Sequence, residues 1–372
     1  MARPLAPLWL AAPSRFITLK RPMARLALLL LAILLAASLT ALTTPSPPPA
    51  KHDSAHPADD EKDVVLYQSI VAGVRGGGDY YAVTAEALRT GNFPLRPFVT
   101  FRLPTLALVQ AALPPQMTMA LLYILAAAVM IAWSIRLRAA LSRAPPLAIA
   151  LVLLAGGMVA FVQPEIASFH EVWAGLLVAL SLALRRPERW VEAVAIGMVA
   201  MLIRETAALY VGIMAVLAFA EGRRREALGW GATIAVFAVV IAFHAHAVAQ
   251  VVHPIDPASP GWSGMLGFGF FVKTMSISTA LSLAPLWLAA PLVALALFGW
   301  ASWNDPLALR ALTIFACYAA LLGLFGRADT FYWGLMIAPT ILTGLAFVPD
   351  GLRDLVAAAL DKRKIIVTRL TR

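Results

Sequence analysis

L-A-L-L-L-L-A-I-L-L-A-A-S-L-T-A-L-T-T, residues 26–44, carries no charged side chain and follows Arg15, Lys20, Arg21 and Arg25. A helix needs roughly 20 apolar residues to cross a bilayer. This block is long enough, is too long for a simple signal-peptide core, and shows no clear small-residue cleavage site, so it reads as an uncleaved first span. Met23 offers an alternative start to Met1, because residues 1–22 add little to the pattern.

The rest of the chain repeats this chemistry. Its 372 residues are 61% hydrophobic and 13% charged, with a mean hydropathy of +0.80. Soluble domains are nearer half apolar and a quarter charged. The excess is gathered into blocks near 115–135, 147–163, 170–185, 190–203, 207–220, 228–250, 281–300, 308–325 and 331–348. The net charge of +10 does not indicate a nucleic-acid binder, since the basic residues fall in short clusters between apolar blocks, as orientation signals do. Cys317 is the one cysteine, which excludes an intrachain disulfide and a cysteine metal cluster.

Arg136/Arg138/Arg143, Arg185/Arg186/Arg189, Arg223/Arg224/Arg225, Arg310 and Lys362-Arg363-Lys364 fall on alternate connections. The positive-inside rule then predicts ten spans with both termini in the cytoplasm. The expected fold is an all-α polytopic membrane protein of about ten transmembrane helices, with amphipathic juxtamembrane helices in the first outer loop. It divides into a cytoplasmic basic N-terminus (1–25), a transmembrane domain (26–350, first outer loop 45–114) and a cytoplasmic basic tail (351–372). Residues 45–62 read as a solvated linker. Residues 98–113 are apolar but broken by proline, and parity leaves them no crossing, so they are expected to be interfacial or re-entrant on the outer side. Blocks 190–203 and 207–220 are short for a crossing. They meet at Arg204-Glu205-Thr206, either as a hairpin with a sunken tip or as an ion pair in a water-filled cavity.

The outer connections hold the polar groups that orientation does not explain. In the first, D-V-V-L-Y-Q-S-I-V-A-G-V-R-G-G-G-D-Y-Y runs from Asp63 to Tyr81. Tyr67, Ile70, Val71 and Val74 form one stripe, and Asp63 lies four residues before Tyr67 on a shared face. Gly76-Gly77-Gly78 ends this helix and Asp79 starts another at 80–90, so two surface helices are expected. Asp63 is either a catalytic carboxylate or the N-cap of helix 64–75, and Asp79 likewise is an N-cap or a second acid.

Asp63, Tyr67, Ile70, Gly78-Asp79 and Tyr80 together resemble the first outer loop of the GT-C membrane glycosyltransferases. The similarity is greatest to the branch of the protein O-mannosyltransferases and the bacterial lipid A aminoarabinose transferase, which carry D-E-x-x-Y-x-x-I-A, then G-D-W. Thr100-Phe101-Arg102-Leu103-Pro104 stands where that branch places a basic residue before prolines. Val64 replaces its second acid, and Phe101 replaces the acid before the basic residue. The resemblance implies a small member without the C-terminal outer domain, in a bacterial inner (cytoplasmic) membrane. It further implies a sugar donor linked to polyprenyl phosphate, Asp63 as general base, Arg102 on the phosphate, and an acceptor at the outer face. It leaves a divalent metal open, and no ligand cluster in the sequence forces one.

Arg204 is a further phosphate candidate, because an arginine held near lipid needs a partner or a task. It does not share a face with Glu205 on an ideal helix. Arg96 is either another phosphate ligand or, like Arg102, a snorkelling anchor. His170 and Glu171 open the block at 170, Lys273 stands in the second outer loop (251–280), and Arg327 stands beside Phe331, Tyr332 and Trp333 in the last. These four, with Tyr67 and Glu205, are candidates for lining one cavity. His244 and His246, two apart, face different sides of a helix, so they do not predict a zinc site. A transporter or flippase of a lipid-linked solute and a non-catalytic scaffold remain as other classes. The first predicts midplane polar groups and repeated halves, and the sequence has no convincing repeat.

Overall fold

The computed structural model describes residues 6–45 and 59–361. Part of the predicted linker and the Lys362-Arg363-Lys364 cluster lie outside them. The described residues form helices and turns, with two isolated β-bridges, Arg96 with Ala258 and Arg186 with Arg189. The elements are α1 (Arg21–Ser38), α2 (Asp59–Arg75), α3 (Tyr80–Thr90), α4 (Thr105–Ala112), α5 (Pro115–Ala140), α6 (Ala144–Gly157), α7 (His170–Leu184), α8 (Val191–Ile203) and α9 (Ala207–Ala220). They continue with α10 (Arg224–Val251), α11 (Gly267–Ile277), α12 (Leu286–Ser302), α13 (Pro306–Phe325), α14 (Ala338–Ile341) and α15 (Val348–Leu360).

Among the described residues four helices are long and apolar enough to cross a membrane: Arg21–Leu42, Pro115–Ala140, Arg224–Val251 and Pro306–Phe325. A fifth candidate is the pair Ala328–Met336 and Ala338–Leu360, bent by 62°. The shorter apolar helices include α6, α7, α8, α9 and α12. Leu and Ala dominate α1, and both favour helix. Large apolar side chains also cover the outside of the bundle, among them Val152, Phe219, Leu228 and Phe243. Such a surface is stable against lipid and costly in water.

Packing inside the bundle is close. Trp133 and Trp300 meet edge to face at 5.8 Å between centroids. Each indole N–H donates to a backbone carbonyl, of Ala179 at 3.0 Å and of Ile341 at 3.1 Å, so both rings are buried without an unmet donor. Beside them α12 crosses the 3-10 segment Leu342–Phe347 so closely that a Cβ on Gly299 would stand 1.8 Å from the Gly344 carbonyl oxygen.

Three segments differ from expectation. Residues 331–348 are not one continuous helix: the chain kinks at Ile337 and resumes in short turns. Residues 351–360 belong to α15 and pack on α1 and α12 rather than beginning a tail. Within the expected loop 251–280, α11 is a helix with Phe270 and Phe271 buried against α13 and α12. The N-terminal segment is also engaged. The backbone N–H groups of Leu8, Trp9 and Leu10 donate to the buried Asp350 carboxylate at 2.6, 2.7 and 2.9 Å, and Ser14 N–H donates to Asp354 at 3.0 Å. Residues 8–14 therefore satisfy two buried acids, which composition does not disclose.

Gly299→Val is expected to destabilise the protein by about 1–3 kcal/mol, because overpacking must move backbone. Gly212→Ala, in α9 with nothing within 4 Å of its added carbon, is expected to stabilise by about 0.5–1 kcal/mol. Thermal unfolding of both variants in detergent checks the pair.

Candidate functional site

Helix α2 presents one stripe inward, with Leu66, Tyr67 and Ile70 buried against α3 and α4 in a cluster that also takes in Val248 near the end of α10. Asp63 is one turn before Tyr67. Because α2 begins at Asp59, Asp63 lies inside the helix and is not its N-cap. Gly77, at φ 92°, makes the turn out of α2 in a conformation that favours glycine. Asp79 then caps α3, accepting from the N–H groups of Tyr81 and Ala82 at 3.0 Å each. It is exposed and does not line the cavity described below, so the structure gives Asp79 a capping role and not the catalytic one.

The tip between α8 and α9 faces α2. Arg204 leaves helical geometry, at φ −140° and ψ 113°, although neither Pro nor Gly stands at the break. Charge and hydrogen bonding hold the turn. Arg204 is 1% exposed, and its Nε lies 2.5 Å from Oε1 of the fully buried Glu171. The angle there falls outside hydrogen-bond geometry, so the contact is ionic. Arg204 Nη1 also donates to Glu205. Adjacent residues pair because the chain is extended at this point, whereas an ideal helix would separate them. Tyr318 of α13 donates its hydroxyl to the Thr206 carbonyl at 2.9 Å and fixes the tip from behind.

Arg102 arrives from the proline-broken segment before α4. Its Nε donates to the Tyr67 hydroxyl at 3.1 Å, its Nη1 lies 3.7 Å from Glu205, and its carbonyl accepts from Tyr80 at 2.7 Å. Burial pushes the Tyr67 hydroxyl up to about 12, with Arg102 opposing and Asp63 assisting the shift. Tyr67 therefore stays a neutral donor and acceptor at physiological pH.

These groups enclose a cavity of about 500 Å³. Asp63, Tyr67, Arg102, His170, Arg204, Glu205 and Arg327 all line it. The sequence candidates thus converge from α2, the segment before α4, α7, the α8–α9 tip and the turn after α13. Glu171 lies beneath the wall as the counter-ion of Arg204. Two candidates stand elsewhere. Lys273 donates to the Thr44 carbonyl at 2.7 Å, beside the end of α1, because α11 is packed into the bundle. Arg96 is exposed and donates to the Asp256 carbonyl at 2.9 Å, so it braces a loop. Ser168, Thr206, Trp262, Tyr332 and Trp333 also line the cavity. Of these, the aromatics have only an interface-belt signature in sequence, and Ser168 has no signal.

That loop is latched at Asp256, which accepts from Arg89 Nε at 3.0 Å, Arg89 Nη2 at 2.7 Å and His253 N–H at 2.7 Å. The latch carries Ser259 and Trp262 to the wall. Arg327 ties it again, donating to the Gly261 carbonyl at 3.1 Å while pairing with Asp329. The hydrogen bonds from Arg89, then from His253, hold the Asp256 carboxyl well below the usual range.

The cavity is charge-balanced and polar-rich. Arg102, Arg204 and Arg327 face Asp63, Glu205 and Asp329. On the same wall Ser168 Oγ, both ring nitrogens of His170, Thr206 Oγ1 and Trp333 Nε1 are buried and find no hydrogen-bond partner among the described residues. Each such group costs about 1–3 kcal/mol. Among the described residues no three His, Cys, Asp or Glu side chains converge to hold a metal ion. No family model matches the chain, and neither do curated proteins or solved structures.

Arg204→Ala leaves Glu171 buried without its counter-ion and is expected to cost about 3–5 kcal/mol. The paired change Arg204→Leu with Glu171→Leu is expected to be more stable than that single variant in chemical unfolding. A second expectation concerns pH. Asp256 has a lower pKa folded than unfolded, so its stabilisation is complete above about pH 4, the unfolded value, and is lost as pH falls toward the folded value. Asp256→Asn is expected to flatten that acid limb in a melting-temperature profile between pH 3 and pH 6.

Proposed function

We propose that the chain is a membrane glycosyltransferase of GT-C type, moving a sugar from a polyprenyl-phosphate carrier to an acceptor hydroxyl. In this reading ten helical segments cross the inner membrane of a bacterium, both termini are cytoplasmic, and the cavity opens at the outer face. The observation that carries the reading is the convergence of Asp63, Arg102 and Arg204 on one cavity whose wall also holds unmet hydroxyl, imidazole and indole groups. A sugar phosphate supplies both partners such a wall needs: hydroxyls for the neutral groups and a phosphate for the guanidiniums.

Asp63 takes the proton from the acceptor hydroxyl, whose oxygen forms a bond to the sugar's anomeric carbon. The bond from that carbon to the phosphate oxygen breaks, and the electron pair leaves on the polyprenyl phosphate. Arg102 and Arg204 stabilise the charge as it develops there. Tyr67 holds Arg102 in position through its hydroxyl. Every guanidinium on the wall already meets a carboxylate, so the phosphate must compete with Glu205, which bridges Arg102 and Arg204 and is partly exposed.

Lysed membranes supplied with a polyprenyl-phosphate sugar test this directly. Asp63→Asn is expected to lower transfer by about 100- to 10,000-fold while the protein keeps its thermal stability. Glu205→Gln is expected to bind polyprenyl phosphate more tightly than the unaltered chain, since it removes the competitor. Full transfer by Asp63→Asn contradicts the assignment.

A further inference from the structure

The opposite end of the bundle has a cavity of its own, of about 570 Å³. Four arginines line it, from the ends of four different elements: Arg136 at the close of α5, Arg185 just after α7, Arg223 just before α10 and Arg310 in the first turns of α13. Glu221 and Asp305 line it too. Glu221 takes Arg310 in a two-pronged pair at 2.6 and 2.7 Å and stands 3.2 Å from Arg223. Arg185 is held behind the wall by the buried Glu226, at 2.8 Å through both nitrogens. Among the described residues Arg136 meets no carboxylate, and it donates to the carbonyls of Ala183 and Arg185.

Four guanidiniums thus stand against three carboxylates, and one of those, Asp305, accepts from the Leu307 N–H as the cap of α13. The buried Arg310 also has its Nε without a hydrogen-bond partner among the described residues. Positive charge is left over in a cavity that already holds its arginines in place. An anion of one charge completes the balance. Strongly exposed apolar side chains flank the same residues: Phe219 before Glu221, Leu228 after Glu226, and Ile135 and Leu309 beside Arg136 and Arg310. A ligand seated here meets cations with its head and bare hydrocarbon with its body.

We propose that this cavity binds the phosphate headgroup of an anionic phospholipid, with its acyl chains along the apolar flank. Basic pockets between membrane helices suit such headgroups. The site is separate from the sugar-transfer cavity, and its occupancy stands or falls independently of that activity.

The test is a lipid titration of the purified full chain in detergent, read by native mass spectrometry and by melting temperature. The probes are phosphatidylglycerol, phosphatidylcholine and inorganic phosphate. Phosphatidylglycerol is expected to bind and raise the melting temperature, whereas phosphatidylcholine and equimolar inorganic phosphate do not. Arg223→Gln is expected to weaken phosphatidylglycerol binding about fivefold, since one surface arginine contributes on that scale, and Arg136→Gln gives a second reading of the same loss. Arg189→Gln, at an exposed arginine that pairs with Glu192 and does not line the cavity, is expected to leave binding unchanged. Equal binding of phosphatidylcholine, or undiminished binding by both cavity variants, overturns the proposal. A shift reproduced by inorganic phosphate overturns the lipid as the ligand.

Discussion

A buried charge must be paired, and the end of this molecule that holds the cavity between α2 and the α8–α9 tip is organised around that constraint. Arg204 stands at the tip of two helices too short to cross a membrane unaided, each about 20 Å long at 1.5 Å per residue. Its guanidinium reaches Glu171 at the start of α7 and Glu205 beside it. Those contacts set where α8 ends and which way Glu205 points. Glu205 in turn approaches Arg102, and Arg102 is steadied by Tyr67 on α2. Four elements distant in sequence are thereby fixed to one another by charge, while the apolar surfaces around them are far less directional.

The two ends of the bundle use arginine differently. At one end the pairs are buried among aromatics, with Phe169 edge-on to both Tyr67 and Tyr332. Low polarity there strengthens each ionic contact and makes a lost partner expensive. At the other end Arg185 is buried while Arg223 and Glu221 are partly exposed, a mixture suited to an occupant that meets both lipid and water. A single-sign count along the sequence treats all these arginines as orientation signals. Their partners distinguish them.

Much of the architecture was legible from hydropathy, because an apolar block has few fates other than helix in lipid. The paired helices at 63–75 and 80–90 followed from the Tyr67 stripe and the three glycines, whereas for Asp79 the sequence left a cap and a second acid open and the structure shows the cap. The limits have physical causes. The break at Arg204 has no local breaker, so the Glu171 contact that fixes it is invisible until the fold brings α7 alongside. Lys273 was assigned to a loop because Gly and Phe dominate its surroundings, yet that composition also packs closely and α11 is buried. Residues 331–348 looked like a single span by hydropathy alone, whereas the backbone turns at Ile337. Residues 8–14 gave no apolar signal because they are held through backbone N–H groups, which every sequence possesses.

The proposed transfer needs Arg102 and Arg204 to share one phosphate, with Asp63 on the far side of the sugar. A cryo-electron microscopy map of the protein saturated with a polyprenyl phosphate is the decisive measurement. Phosphate density is expected to touch both guanidiniums, with Glu205 displaced from between them and the prenyl chain leaving past Ile70 and Leu88. Density for the phosphate at any other place on the molecule, with the cavity between α2 and the α8–α9 tip unaltered, would contradict it.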